Sequence, residues 1–195
     1  MKETLKCLIK AFIGESQARN RYTYYAKVAK KEGYEQIAEI FNITSDQESV
    51  HAKRLFEHIQ ELKKELPEDE QAEIPIDASC PTTFGDTLTN LKAARDGEHY
   101  ENTTMYPDFA KIAKKEGYGK IAARFLGISK AEVHHEKRYI KLIEQLENKT
   151  LFEKSEKVWW ICRVCGYAVF STKPPEKCPA CNHSKAYYQT QCEEY

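Results

Sequence analysis

YAKVAKKEGYEQIAEIF (Tyr25–Phe41) and FAKIAKKEGYGKIAARF (Phe109–Phe125) are one seventeen-residue phrase written twice, identical at eleven positions and offset by 84 residues. In each copy a run of helical apolar spacing reaches "KEGY", whose glycine suits a helix C-terminus, and a second helical run follows. The chain is therefore a doubled helical hairpin. The first helix is expected over about 3–31, with Leu5, Leu8, Phe12, Tyr22 and Ala29 on one stripe. The second is expected over about 35–66, with Ile37, Phe41, Thr44, Leu55 and Leu62. "PEDEQAEIPIDASCP" has proline and acid but no helical period, and reads as a long crossover. The third helix is expected to start near Thr83, whose hydroxyl would form an imperfect capping box with Asp86, and it carries Leu88, Leu91, Ala94 and Met105. The fourth carries Ile121, Phe125, Ile128, Tyr139, Leu142 and Leu146.

Two hairpins joined by one long crossover predict a mainly α fold, a ferritin-like four-helix bundle. Its apolar stripes are interrupted in a regular way. Glu15 lies seven residues from Leu8 and from Tyr22, and Glu48 seven from Phe41 and from Leu55. Glu98 lies seven from Leu91 and from Met105, and Glu132 seven from Phe125 and from Tyr139. Each therefore points inward. His51, Glu101 and His135 stand three residues beyond Glu48, Glu98 and Glu132, and the pairs Glu48/His51 and Glu132/His135 repeat at the offset of 84. Burying a lone carboxylate costs several kcal/mol, and no matching set of lysines or arginines shares these stripes. Two divalent cations would nearly balance the five carboxylates. A Glu from each of two helices plus Glu-x-x-His from each of the other two is the dinuclear carboxylate pattern, and its oxygen and imidazole donors favour iron or manganese.

Glu101 breaks the twofold pattern, because the first copy has only Gln17 and Ala18 nearby. Ten residues separate Glu15 from Tyr25, but eleven separate Glu98 from Phe109. With Pro107 just beyond, the extra residue predicts a π-bulge or kink between Glu101 and Pro107. The extra carboxylate suggests alternative coordination, with Glu101 on the oxidised metal and His51 replacing it when the charge falls.

Lysine plus arginine (30) equals aspartate plus glutamate (30), so no basic surplus points to nucleic acid. No apolar run approaches the ~18–20 residues of a bilayer span, and Lys6 and Lys10 interrupt any leader-like stretch. A reducing cytoplasm is the expected location, where cysteines more often bind metal than pair. Four of the seven cysteines form two Cys-x-x-Cys pairs, Cys162/Cys165 and Cys178/Cys181, in an aromatic, strand-like segment. Gly166 after the first pair suits a positive φ. So small a module needs its metal to fold. Iron and a structural zinc ribbon share this spacing.

The motifs "GESQAR", "DQESVHAKR", "GEHYENTTMYPDFAKIA" and "EVHHEKR", with the paired knuckles, resemble the rubrerythrin family over essentially the whole chain. That resemblance implies a diiron bundle over 1–147, a linker over 148–157 and a rubredoxin-like four-cysteine domain over 158–195. It implies a non-haem peroxidase that reduces hydrogen peroxide to water for oxidative-stress defence. Electrons would come from rubredoxin or an NAD(P)H-dependent reductase through the four-cysteine iron. The diiron ligands it implies are Glu15, Glu48, His51, Glu98, Glu101, Glu132 and His135. Glu101 and His51 would exchange, and Tyr22 and Tyr106, themselves an offset-84 pair, would hydrogen-bond ligand carboxylates. It further implies a homodimer in which one subunit's four-cysteine site approaches the other's diiron centre. Asn182 stands where the family usually has glycine, and asparagine tolerates the left-handed backbone.

Two other classes remain open at this point: a ferroxidase or iron-storage protein, and a zinc ribbon acting as a partner-binding module. His99 and His134 are read as surface or supporting residues, His58 as packing, and His183 as support for the second knuckle. Cys7 is read as a small buried hydrophobe, Trp159 and Trp160 as module core and docking surface, and Cys80 and Cys192 carry no spacing signal.

Overall fold

Gly33 and Gly117 sit at the two "KEGY" turns with φ of +85° and +88°, a conformation that costs glycine little. At each turn the next N–H reaches back five residues, Tyr34 to the Ala29 carbonyl (2.9 Å) and Tyr118 to that of Ala113 (2.8 Å), closing a Schellman motif. These turns join α1 (Glu3–Lys31) to α2 (Glu35–Leu62) and α4 (Tyr106–Lys115) to α5 (Gly119–Glu147). α3 (Thr87–Tyr100) runs into α4 through a π-helical turn, Glu101–Met105, so the three form one rod of a four-helix bundle. The computed structural model describes residues 2–192, so the last three residues of the expected C-terminal domain lie outside it.

Two expected boundaries move. α2 ends at Leu62 and tightens into a 3-10 turn over Lys63–Glu65 rather than running to residue 66. α3 begins at Thr87, not Thr83. Asp86 is its N-cap and accepts from the Thr89 N–H (2.7 Å). Asn90 bonds both the N–H and the carbonyl of Gly85 (2.8 Å each), which fixes that residue outside the helix. Tyr25 donates to the Thr83 carbonyl (2.6 Å), which ties Thr83 to the crossover.

The core falls into two apolar layers. One holds Leu5, Leu8, Leu55, Tyr106 and Phe125. The other holds Tyr22, Phe41, Leu91 and Tyr139. The inward glutamates fall between the layers, because each stands one heptad from a member of both or next to one.

After α5, a three-stranded antiparallel sheet in the order β2-β1-β3 forms from β1 (Val158–Cys162), β2 (Ala168–Ser171) and β3 (Tyr188–Thr190). Trp160, Cys162, Cys178 and Tyr188 are its buried core, while Trp159 lies half exposed against Phe170. Phe152 packs against this core and against the second bundle layer, with its ring stacked on Tyr34 at 6.3 Å. An Arg163–Glu39 ion pair (2.5 Å) adds a polar contact to α2. Among the described residues, no helix is long and apolar enough to cross a membrane.

Candidate metal centres

In the bundle, two groups of donor atoms each lie within 4.8 Å of one another: Glu15, Glu48, His51 and Glu132, and then Glu48, Glu98, Glu132 and His135. Glu48 and Glu132 belong to both, through different oxygens. Glu48 Oε2 and Glu132 Oε1 lie 3.0 Å from His51 Nδ1. Glu48 Oε1 and Glu132 Oε2 lie 3.1 and 2.7 Å from His135 Nδ1. Glu15 Oε2 completes the first group (3.7 Å from His51) and Glu98 Oε2 the second (3.4 Å from His135). This is the geometry of two bridging and two terminal carboxylates, with one imidazole at each end.

Apart from His51 Nδ1 and Glu48 Oε2, which bond each other at 3.0 Å, the donors converge without hydrogen-bonding one another. Glu15 Oε2, Glu48 Oε1, Glu98 Oε2, both Glu132 oxygens and His135 Nδ1 are buried without a well-formed hydrogen bond. Orphaned buried acceptors on this scale cost too much to persist unless cations satisfy them. Four carboxylates balance two divalent charges, so the residues fit a dinuclear centre.

The free oxygens of the terminal carboxylates are held. Tyr22 donates to Glu98 Oε1 at 2.6 Å, and Tyr106 donates to Glu15 Oε1. The histidines are treated unequally. His135 Nε2 bonds Gln47 Oε1 (3.0 Å), itself bonded by Arg138, which commits Nδ1 to the centre. His51 Nε2 has no such partner among the described residues, and its ring borders a cavity of about 460 Å³ lined by Lys120, Arg124 and Gly127.

Glu101 joins neither group. It is buried at the start of the π-turn beside a separate cavity of about 330 Å³, lined also by Gly14, Gln17 and Arg21 and by crossover residues 77–79 and 81. The π-turn is pinned from α5. Asn102 Nδ2 donates to the Glu98 carbonyl and to Glu136 Oε2 (2.7 Å each), Ser129 donates to the Asn102 carbonyl (3.1 Å), and His99 pairs with Glu136 (2.8 Å). Gln47, Asn102, Glu136 and Arg138 escaped sequence reasoning, since nothing in their spacing marks them.

Electrostatics agree with a cation site. Burial, then the Glu48 charge, push Glu15 well above the usual carboxylate range, and burial, then Glu15, do the same to Glu101. Glu98 rises to about 8, chiefly through burial. Burial alone would lower both histidines, but their carboxylate partners outweigh it, raising His51 strongly and His135 to about 12. Glu48 goes the other way, to about 2, because His135 and His51 overcome its burial.

Chelated protein therefore binds more protons folded than unfolded as pH rises past the ordinary carboxylate value, and its stability falls through this range. Glu98's share is lost by about pH 8, and the raised histidines pull the same way above their unfolded value. Glu48 contributes the opposite slope only in acid, toward about pH 2. The urea midpoint of chelated protein is expected to fall between mildly acidic and mildly alkaline buffer. Metal-loaded protein is expected to lack that drop, because metal displaces the same protons. A flat profile for chelated protein would contradict this account.

In the C-terminal module, Cys162, Cys165, Cys178 and Cys181 bring their sulfurs within 4.8 Å of one another, with Cys162–Cys181 and Cys165–Cys178 at 3.6 Å. A tetrahedral metal with bonds of about 2.3 Å needs sulfur edges of about 3.8 Å. Both knuckles have the expected left-handed residue, Gly166 at φ +76° and Asn182 at φ +62°. Burial would raise Cys178, but the Tyr188 hydroxyl and the N–H groups of Cys181 and Ala180 bring it down to about 6. Cys178 N–H bonds the His183 carbonyl (2.8 Å), so His183 braces the second knuckle. Cys7 is buried in the bundle, whereas Cys80 and Cys192 are exposed and apart from either centre.

The rubrerythrin profile matches residues 6–143, and the profile of the rubrerythrin rubredoxin-like domain matches residues 160–189. Rubrerythrin-1 of Clostridium acetobutylicum is 48% identical over 99% of this chain and 96% of its own. Structures of nigerythrin in partially reduced and mixed-valent states align with TM-scores of 0.63 and 0.62, at 30% identity over 96% of this chain and 86% of theirs. A Desulfovibrio desulfuricans bacterioferritin shares the fold alone, with a TM-score of 0.64 at 20% identity over 75% of this chain and 81% of that one. The bundle is thus ferritin-like, iron is the cofactor of its dinuclear centre and of the four-cysteine centre, and the chain belongs to the rubrerythrin family.

Proposed function

We propose that this protein is a peroxidase that reduces hydrogen peroxide to water at the bundle's diiron centre. Electrons reach it through the four-cysteine iron from a separate rubredoxin or NAD(P)H-dependent reductase, in cytoplasmic defence against oxidative stress. The observation that carries this reading is two donor groups sharing Glu48 and Glu132, in one chain with a one-electron centre. Iron supplies the electrons and the Lewis acidity when bound. The seven ligand residues are those named from the sequence, and the chain divides into a bundle over 1–147, a linker over 148–157 and a rubredoxin-like module from 158.

In this reading the polypeptide's work falls to a few groups. Tyr22 and Tyr106 hold the terminal carboxylates, and Gln47 holds His135. His51, free at Nε2, is the ligand that can leave. Glu101 is the replacement, adding a fifth negative charge for the oxidised pair and carrying protons from its cavity to the substrate. Storage alone gives the four-cysteine module no task. In a homodimer, one subunit's four-cysteine module would approach the other's diiron centre.

The test is anaerobic. Reduced protein mixed with one equivalent of peroxide is expected to regain the red ferric four-cysteine spectrum faster than with oxygen. Glu101→Ala is expected to slow that return by more than it lowers iron content. Equal losses of rate and iron would remove the switching role, and slow reoxidation of wild type by peroxide would remove the peroxidase.

A further inference from the structure

Tyr22 and Tyr106 occupy matching places in the two halves, each bonded to a terminal carboxylate. Their next neighbours differ. The offset of 84 pairs Tyr25 with Phe109, so each bonded tyrosine has an aromatic ring three residues on along its own helix, oxidisable in one half and not in the other. Tyr22 and Tyr25 have ring centroids 6.2 Å apart. Tyr106 instead packs on Phe125 at 5.9 Å, and Phe109 beyond it at 5.8 Å from Phe125. Tyr25 leads outward, since its hydroxyl meets the Thr83 carbonyl of the crossover and its ring stacks at 6.4 Å on Phe84, which is 67% exposed. Tyr139 also touches Tyr22, edge-on at 5.8 Å. Its hydroxyl makes no well-aligned hydrogen bond, and the nearby Thr44 hydroxyl is already engaged by Ile40 and Arg138. Lacking a base for its proton, Tyr139 is left out of the path.

We propose that Tyr22 and Tyr25 form a one-electron relay that completes peroxide reduction when the bundle centre holds only one ferrous ion. This rests on the peroxidase reading above. Hydrogen peroxide needs two electrons and two protons to break its O–O bond and leave as two waters. Iron held by these residues would supply one electron, and Tyr22 supplies the other. The phenolic proton of Tyr22 passes along its 2.6 Å bond to Glu98 Oε1, where it stays while solvent supplies both protons that peroxide takes up. Tyr25 then returns an electron to Tyr22, which takes its proton back from Glu98, while the Tyr25 proton leaves to solvent beside the carbonyl of exposed Thr83, to which its hydroxyl is bonded. The oxidising equivalent thus ends beside exposed Phe84, away from the ligands. A structure of the relative nigerythrin is described as mixed-valent.

The experiment uses full-length iron-loaded protein, poised half-reduced in the bundle with the four-cysteine iron ferric. One equivalent of hydrogen peroxide is added, samples are frozen over time, and electron paramagnetic resonance is recorded with peroxide consumption in the same samples. A tyrosyl signal is expected, narrowed when the protein is grown on ring-deuterated tyrosine. Tyr22→Phe should abolish it, Tyr106→Phe should keep it, and Tyr25→Phe, which touches no ligand, should change its lifetime and line shape. Peroxide consumed without any tyrosyl signal would overturn the relay and leave the peroxidase standing. A signal unchanged in Tyr22→Phe or in Tyr25→Phe would also overturn it. No peroxide consumption at all would remove the peroxidase and the relay together.

Discussion

Glu132→Ala is expected to empty both iron positions of the bundle at once while the four-cysteine iron stays bound. Glu132 gives Oε1 to the group around His51 and Oε2 to the group around His135, and it is fully buried, so no water replaces it readily. Losing a group that merely supports a ligand costs metal roughly 10–100-fold in affinity, and loss of a shared ligand should exceed that at both positions. Glu15→Ala is the control, since Glu15 belongs to one group only. It should lose the iron beside His51 and retain much of the other. Iron per chain, with the red four-cysteine absorbance as internal standard, separates the two variants. The loaded form of Glu132→Ala should also melt well below loaded wild type, because stabilisation by bound metal is gone. If Glu132→Ala holds as much bundle iron as Glu15→Ala, the bridging role is wrong.

Cys178→Ala is expected to unfold the C-terminal module and spare the bundle. The module's buried core is Trp160, Cys162, Cys178 and Tyr188, too little apolar surface to order its strands unaided. Four-thiolate ligation supplies folding free energy directly, about 10–16 kcal/mol for comparable structural zinc peptides. Without it, Trp160 should move to water and lose its bond to the Ser171 carbonyl (3.0 Å). Near-ultraviolet dichroism should collapse, and protease should cut after α5. The helical far-ultraviolet signal should remain, because both bundle layers are intact. A variant that keeps native tryptophan signals would show that packing, not metal, holds the sheet.

The doubled hairpin and the inward glutamates were legible because both follow from period. A carboxylate seven residues from two core residues has nowhere to point but inward, and a repeated Glu-x-x-His at one offset has few explanations besides a pair of metals. The π-turn was legible as a one-residue discrepancy between copies. The start of α3 was not. Thr83 and Asp86 are both competent caps, and tertiary bonds from Tyr25 and Asn90 decided between them. Nor did spacing tell that Glu101 would stand outside both donor groups, or that His51 would lack the tether Gln47 gives His135. Those depend on which neighbouring helix supplies a partner, information held in no single stretch. The module's contact through Arg163 and Glu39 is of the same kind.

The π-turn has one more implication. Eight residues separate Glu98 from Tyr106, against seven between Glu15 and Tyr22. In an unbroken α-helix the added residue would swing everything before it by about 100° and carry Glu98 off the face it shares with Tyr106. Absorbed as a local π-turn, it leaves both faces in register and leaves Glu101 buried at the turn as a carboxylate without a counterpart in the first copy. A doubled hairpin left to itself would make two interchangeable metal positions, a seat with no front or back. The swallowed residue makes the two ends of that seat unequal: Glu101 is added on one helix without a counterpart in the first copy, and one imidazole is tethered through Gln47 while the other is not.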